Sequence, residues 1–206
     1  MKHLIIYCHP NPASLNHAIK ESVNHYAQAA GHETRIRDVY TLNFNPVLTP
    51  EDILSFKSGN VPEDIRVEQE HFLWAELITI VHPVWWTGMP AILKGYFDRV
   101  LSYGFAYRYG ENGLEQMLKG KDLYLINTVG SEEQNYIDKG IFDAMRTVAE
   151  NTFGFTGMRI LEHRFFSNVI TCGEETRKGY LESLGELFDN VAGNIKPRDG
   201  LKFNAI

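Results

Sequence analysis

The chain is short of the features that mark special classes. It has two cysteines in 206 residues, Cys8 and Cys172, too few for a disulfide framework and typical of a reducing compartment. No run approaches the roughly 18 apolar residues of a membrane span. The opening Met1-Lys2-His3 and the short run Leu4 to Tyr7 are too brief for a signal peptide. Basic excess is missing as well: the formal net charge is -6, which argues against nucleic acid or an anionic membrane surface as partner. There is no G-x-G-x-x-G and no G-x-x-x-x-G-K-[ST], so dinucleotide Rossmann and P-loop readings are weak. No Cys or His pair has zinc spacing, and His9, His17 and His25 are scattered. The expectation is a cytoplasmic enzyme-sized domain with no metal.

What is present is ordinary globular composition, 44% hydrophobic and 22% charged, enough for one sizeable core. Leu4 to Cys8 reads as a short buried strand. Helical spacing follows at Leu15, Ala18, Ile19, Val23, Tyr26, Ala27 and Ala30, with Gly31 as the stop. Thr34 to Tyr40 alternates as an edge-side strand does. Residues 41–75 form an excursion. Within it Thr49 is a helix N-cap, and a helix from Pro62 to Ala75 carries Ile65, Phe72 and Leu73 inward. Leu77 to Val81 is the third strand, and Pro90 suits the start of the next helix. Tyr103, Phe105, Tyr107 and Tyr109 fall on one face of an extended segment. Lys121 to Thr128 and Arg159 to Phe166 are strands four and five. The helix between them runs to about Asn151 with Ile141, Met145, Val148 and Ala149 apolar, and a last helix spans Glu174 to Asn194. Strands alternating with helices predict an α/β fold: a doubly wound, flavodoxin-like five-stranded parallel sheet with helices on both faces. Residues 1–195 read as one domain and 196–206 as a polar tail.

In such a sheet the loops after strands one, three and four converge, and ligands bind there. Loop one offers His9, Ser14, Asn16 and a helix N-terminus, a place for phosphate or for plain capping by Ser14. Cys8 is the one candidate nucleophile, but no arginine follows until Arg35, so it reads as a small buried hydrophobe. Loop three carries Trp85 and Trp86, two flat surfaces suited to a flat ligand or to the core. Loop four, Asn127-Thr128-Val129-Gly130, permits close backbone approach at its glycine.

Several blocks carry a resemblance. They are His9-x6-Asn16, Asn43-Phe44-Asn45-Pro46-Val47, Pro62-Glu63-Asp64-Ile65 and Glu68-Gln69, then Pro83-Val84-Trp85-Trp86-x-Gly88-x-Pro90-Ala91-Ile92-Leu93-Lys94-Gly95, and Phe105-Ala106-Tyr107-x-Tyr109. With these the chain resembles the NAD(P)H:quinone oxidoreductases of the DT-diaphorase type, nearly throughout to about Phe188. The resemblance implies a tightly bound flavin, with FAD favoured by the longer branch and FMN as the alternative, NAD(P)H as co-substrate and a quinone or similar flat molecule as acceptor. It implies that His9, Ser14, Leu15 and Asn16 meet the diphosphate and ribityl region. Pro83, Val84, Trp85, Trp86, Asn127, Thr128, Val129 and Gly130 would surround the isoalloxazine. It further implies a homodimer in which Tyr107 and Tyr109 close the partner's active site, and a proton-handling tyrosine at Tyr136. Two positions depart from the family. Asn127-Thr128-Val129-Gly130 stands for its Thr-Thr-Gly-Gly, and Phe142 or a neighbour stands where its relay histidine belongs. Two other readings are an ancillary regulatory subunit of a potassium-efflux antiporter and a one-electron flavodoxin carrier. The long excursion and the His9-Pro10-x-Pro12 loop argue against them.

Overall fold

The computed structural model describes residues 1–188. Five parallel strands form one sheet: β1 (Lys2–Tyr7), β2 (Glu33–Asp38), β3 (Leu77–Pro83), β6 (Asp122–Thr128) and β7 (Arg159–Phe166), in the order β2-β1-β3-β6-β7. A separate antiparallel hairpin joins β4 (Tyr107–Gly110) to β5 (Gly113–Gln116). The order reverses at β1, whose neighbours on its two sides are β2 and β3. That reversal opens a crevice at the carboxyl ends of the strands.

The sheet is coated on both faces because its central strands are apolar on both. Every residue of β3 is buried. One face holds Ile5, Tyr7, Val81 and Ile126 against α1 (Leu15–Ala29) and α7 (Glu174–Ser183). The other holds Leu4, Ile6, Ile78, Ile80 and Leu125 against α3 (Glu63–Trp74), α4 (Ala91–Val100) and α6 (Ile141–Thr152). Local signals set the ends of these helices. Ser14 caps α1, its hydroxyl accepting from the His17 amide. Thr49 and Asp52 form a reciprocal capping box at α2 (Pro50–Ser58).

The excursion is fastened by buried charge. Arg99 of α4 donates to both Asp52 oxygens, through Nε at 2.9 Å and Nη2 at 3.1 Å, and through Nη1 to the Asn45 carbonyl at 2.9 Å and to Asp64 at 2.5 Å. Hydrogen bonds from Arg99 hold the Asp52 carboxyl below the usual carboxylate range. Glu68 accepts from the Tyr96 hydroxyl and the Arg37 guanidinium, and Gln69 donates to the Val100 carbonyl and Ser102. Gly95 is a close approach: a Cβ there would lie 2.1 Å from the Pro46 carbonyl oxygen. The Asn43 to Pro46, Asp64, Glu68-Gln69 and Gly95 blocks are therefore framework.

Several expectations are corrected. Leu73 and Val148 point outward, 62% and 59% exposed, because each lies off the buried stripe of its helix. Phe105 leaves the tyrosine face: Gly104, at φ +85°, turns the chain, and Phe105 packs edge-on to Phe72. The helix after loop four is two helices, α5 (Glu133–Ile137) and α6, broken at left-handed Gly140. The last helix ends at Ser183 and continues as a 3-10 turn over Leu184–Phe188. Its expected extension to Asn194, the domain end at 195 and the polar tail lie outside the described residues.

Removing Arg99 leaves Asp52 buried without its partner, so Arg99→Met is expected to lose about 3–5 kcal/mol in urea unfolding. Asp64→Asn, at the half-exposed end of the same network, is expected to cost about 1 kcal/mol or less.

Candidate functional site

The loops at the carboxyl edge are bonded to one another, with Thr128 as their meeting point. Its hydroxyl accepts from Asn16 Nδ2 at 2.8 Å, and its carbonyl accepts from the Val84 amide at 2.9 Å. The Val129 amide donates to the Phe166 carbonyl, and the Val169 amide donates back to Val129. His9 and Trp85 bring loops one and three together, their ring centroids 5.8 Å apart. Loop one is stiffened from within. The Asn11 amide donates to His9 Nδ1 at 3.0 Å, and Asn11 Oδ1 accepts from the Ala13 amide at 2.8 Å. Burial lowers the His9 pKa, and its Nδ1 also lies 3.2 Å from the Asn11 carbonyl.

These loops line a cleft of about 470 Å³. His9, Ser14, Leu15, Asn16, Val84, Trp85, Thr128 and Gly130 all face it. Sequence reasoning missed the contribution of the loop after β7: Val169, Ile170 and Arg177 complete the wall. The signal available was Arg177 at the start of an apolar-poor helix, a cation near the end of a parallel strand. The Asn16 carboxamide oxygen is buried without a hydrogen-bond partner. The amides of Leu15 and Asn16 are among those that a helix start cannot satisfy internally.

Other expected residues lie elsewhere. Pro83 and Val129 are buried beneath the loops. Asn127 faces a second cavity, on the α6 side of the sheet. Tyr136 sits on α5, its ring parallel to Phe142 at 5.1 Å. Tyr107 and Tyr109 stand on the hairpin, with Phe155 5.2 Å from Tyr107 as a third aromatic that the sequence reading passed over. Trp86 projects fully into solvent. It and Thr87 have φ of +50° and +61°, and Trp85 and Gly88 exchange two 3.0 Å hydrogen bonds around them. This is a type I′ turn without glycine at either central position, a costly way to raise an indole. Cys8 is no nucleophile, since burial pushes its thiol up to about 12.

A sequence model described as "Flavodoxin-like fold" matches residues 1–187. The chain belongs to this flavodoxin-like family. Among flavodoxin-like relatives it is 38% identical over 184 residues to an NAD(P)H oxidoreductase of Haemophilus influenzae named as uncharacterized, covering 88% of this chain and 91% of that one. It is 32% identical to NAD(P)H dehydrogenase [quinone] 1 of Cavia porcellus, covering 91% of this chain and 76% of that one. A solved structure of a quinone reductase from Klebsiella pneumoniae, titled putative, superposes with a TM-score of 0.82 at 30% identity, covering 92% of this chain and 84% of that one.

Three histidines of this flavodoxin-like chain are held neutral by burial, His3 down to about 3 and His82 and His163 down to about 4. The unfolded chain takes up these protons near pH 6.5, so stability is full above 6.5 and falls as pH drops toward 4. Each ring is expected to contribute a slope of about 1.4 kcal/mol per pH unit in that window. Urea midpoints at pH 7.5, 6 and 5 measure it, and a level midpoint from 7.5 to 5 refutes it.

Proposed function

We propose that the protein is a flavin-dependent NAD(P)H oxidoreductase that passes a hydride to a quinone or a similar flat acceptor. The observation that carries this reading is the set of polar groups in the cleft. A helix N-terminus, the Arg177 guanidinium and the unpartnered Asn16 carboxamide oxygen line one hollow with the Trp85 indole. That set suits a ligand with an anionic end, a hydroxylated middle and a flat end. His9, Ser14, Leu15, Asn16 and Arg177 would hold the phosphate and ribityl part. Val84, Trp85, Thr128 and Gly130, with Trp86 at the rim, would frame the ring system. The chemistry that a bound flavin supplies there is hydride acceptance from NAD(P)H and its return to the acceptor.

The protein's own part is binding and orientation. The His9 ring is oriented by its two contacts with the Asn11 backbone, and the bonded loop frame fixes the wall before any ligand arrives. Tyr136 is the candidate proton-handling hydroxyl. FAD is favoured over FMN by the likeness of the motif blocks to the longer quinone-reductase branch. Half-exposed Tyr107 and Phe155, exposed Tyr109 and Val148, and the apolar Leu48 and Ile53 of the excursion leave one side of the chain rich in uncovered apolar surface. We assign it to a homodimer in which Tyr107 and Tyr109 reach the partner's acceptor site. The free Cys8 and Cys172 suit a cytoplasmic setting. Among the described residues no helix is long and apolar enough to cross a membrane. The antiporter-subunit reading has no observation in its favour.

The purified protein is expected to be yellow, to release FAD on extraction and chromatography, and to oxidise NADPH or NADH with a quinone. A colourless protein that takes up no flavin overturns the reading. Trp86→Ala removes only exposed surface, so stability should stay within about 0.5 kcal/mol. If the indole stacks on the acceptor, kcat/KM for the quinone should fall by up to about tenfold. Elution on size exclusion is expected at twice the chain mass, and at the single-chain mass for Phe155→Asp.

A further inference from the structure

The second cavity lies between the sheet and α6, has a volume of about 260 Å³ and shares no lining residue with the cleft. Its floor crosses three strands. The apolar row Ile78, Ile80 on β3 ends in His82, and the row Leu123, Leu125 on β6 ends in Asn127. His82 and Asn127 are register partners, and His163 on β7 is the partner of Leu125. Around this floor stand Met89, Leu125, Met145, Val148, Ala149 and Phe153. Thr87 is the other polar side chain of the lining.

Hydrogen bonds assign the protons of the floor. Asn127 Nδ2 donates to the His82 carbonyl at 3.2 Å, so Oδ1 is its acceptor. Oδ1 lies 2.7 Å from His163 Nε2, which must therefore carry the hydrogen. His163 Nδ1 then holds a bare lone pair, and it is buried without a partner. In the same way His82 Nδ1 donates to the Pro83 carbonyl at 2.8 Å, which leaves its Nε2 as an acceptor. Asn127 spends its oxygen and one of its two N–H groups in these bonds. The floor thus carries two imidazole acceptors beside an apolar hollow; His163 Nδ1 is sealed by burial, and His82 Nε2, which has no hydrogen-bond partner among the described residues, is the one left for a ligand.

We propose that this cavity is a binding site for a small one-ring aromatic of the phenol class, its hydroxyl donating to His82 Nε2 and its ring lying among Met89, Leu125, Ala149 and Phe153. The size fits, since an apolar cavity of about 150 Å³ already admits a benzene ring. Water is the poorer occupant, because each buried water needs two to four polar partners and the walls above the floor offer only the Thr87 hydroxyl. The chemistry also has a direction. A ligand that only accepts hydrogen bonds finds acceptors, and a purely apolar ring leaves them unpaired. The site does not depend on the flavin reading, and its occupant changes no bond.

The test uses three rings of nearly one shape on the protein as purified: p-cresol, 4-methylanisole and toluene, titrated by calorimetry. p-Cresol is expected to bind about five- to tenfold tighter than either of the others, although toluene is the most hydrophobic. The His82 Nε2 resonance in ¹⁵N-labelled protein is expected to shift with p-cresol alone. Ala149→Leu fills the hollow and should abolish binding in protein whose thermal melt shows it folded. If that variant fails to fold, the ligand series on the natural chain still decides. Toluene binding as tightly as p-cresol, no binding of any ring, or p-cresol that displaces bound flavin would each overturn the proposal. Failure of the flavin reading would show instead as an absent flavin with p-cresol binding intact.

Discussion

Everything at the carboxyl edge of the sheet hangs on one residue, Thr128. Its hydroxyl takes the Asn16 amide from the first helix, and its carbonyl takes the Val84 amide from loop three. The first of these bonds is buried, and a buried bond that lost its partner would leave an unsatisfied group at a cost of about 1–3 kcal/mol. The next residue, Val129, binds the Phe166 carbonyl and so draws in the loop after β7. Parallel strands alone bring loop origins near one another. They do not fix where the loops go afterwards. The Thr128 junction does, so the cleft is a rigid consequence of the β6 terminus rather than of loop packing.

The junction also explains how a strained turn survives next to it. Trp86 and Thr87 each occupy a left-handed conformation that disfavours side chains by about 1–2 kcal/mol. Loop three is clamped on one side by Val84 to Thr128 and on the other by α4, which Arg99 ties through Asp52 and Asp64 to the excursion. Those clamps over-determine the turn. The excursion is therefore more than decoration, because it fixes the helix whose start fixes the turn. Strain held at an exposed indole is the pattern expected where a surface must stay extended toward something that binds.

Much of this could be read from residues. The five strands, their alternation with helices, the Ser14 and Thr49 caps and the convergence of loops one, three and four follow from period, capping chemistry and the winding rule, all of which are local signals. What could not be read was set by distance in the chain. Arg177 enters the cleft from a helix more than 160 positions after loop one, with no motif to announce it. Phe105 was misplaced because alternation was carried through Gly104, where the backbone turns. Leu73 and Val148 were placed inward because a helix period alone does not say how wide the buried stripe is. The resemblance supplied the role of loop three. Physical reading alone reached only two flat surfaces at the end of a strand.

The two sides of the sheet end differently, and the difference follows from what lies beneath each loop. On the α1 face, the crevice opens to solvent and its lining includes helix amides and a guanidinium as donors. On the α6 face, the rows of β3, β6 and β7 close under a helix and finish in imidazoles. Burial forces His82 and His163 to be neutral; the Pro83 carbonyl takes the ring hydrogen of His82 and Asn127 takes that of His163, so each keeps a bare lone pair. A neutral imidazole in a dry hollow is a poor partner for an anion and a good one for a hydroxyl. An anionic ligand is thus directed to the first face by the same carboxamide and backbone geometry that makes the second face selective for a neutral donor.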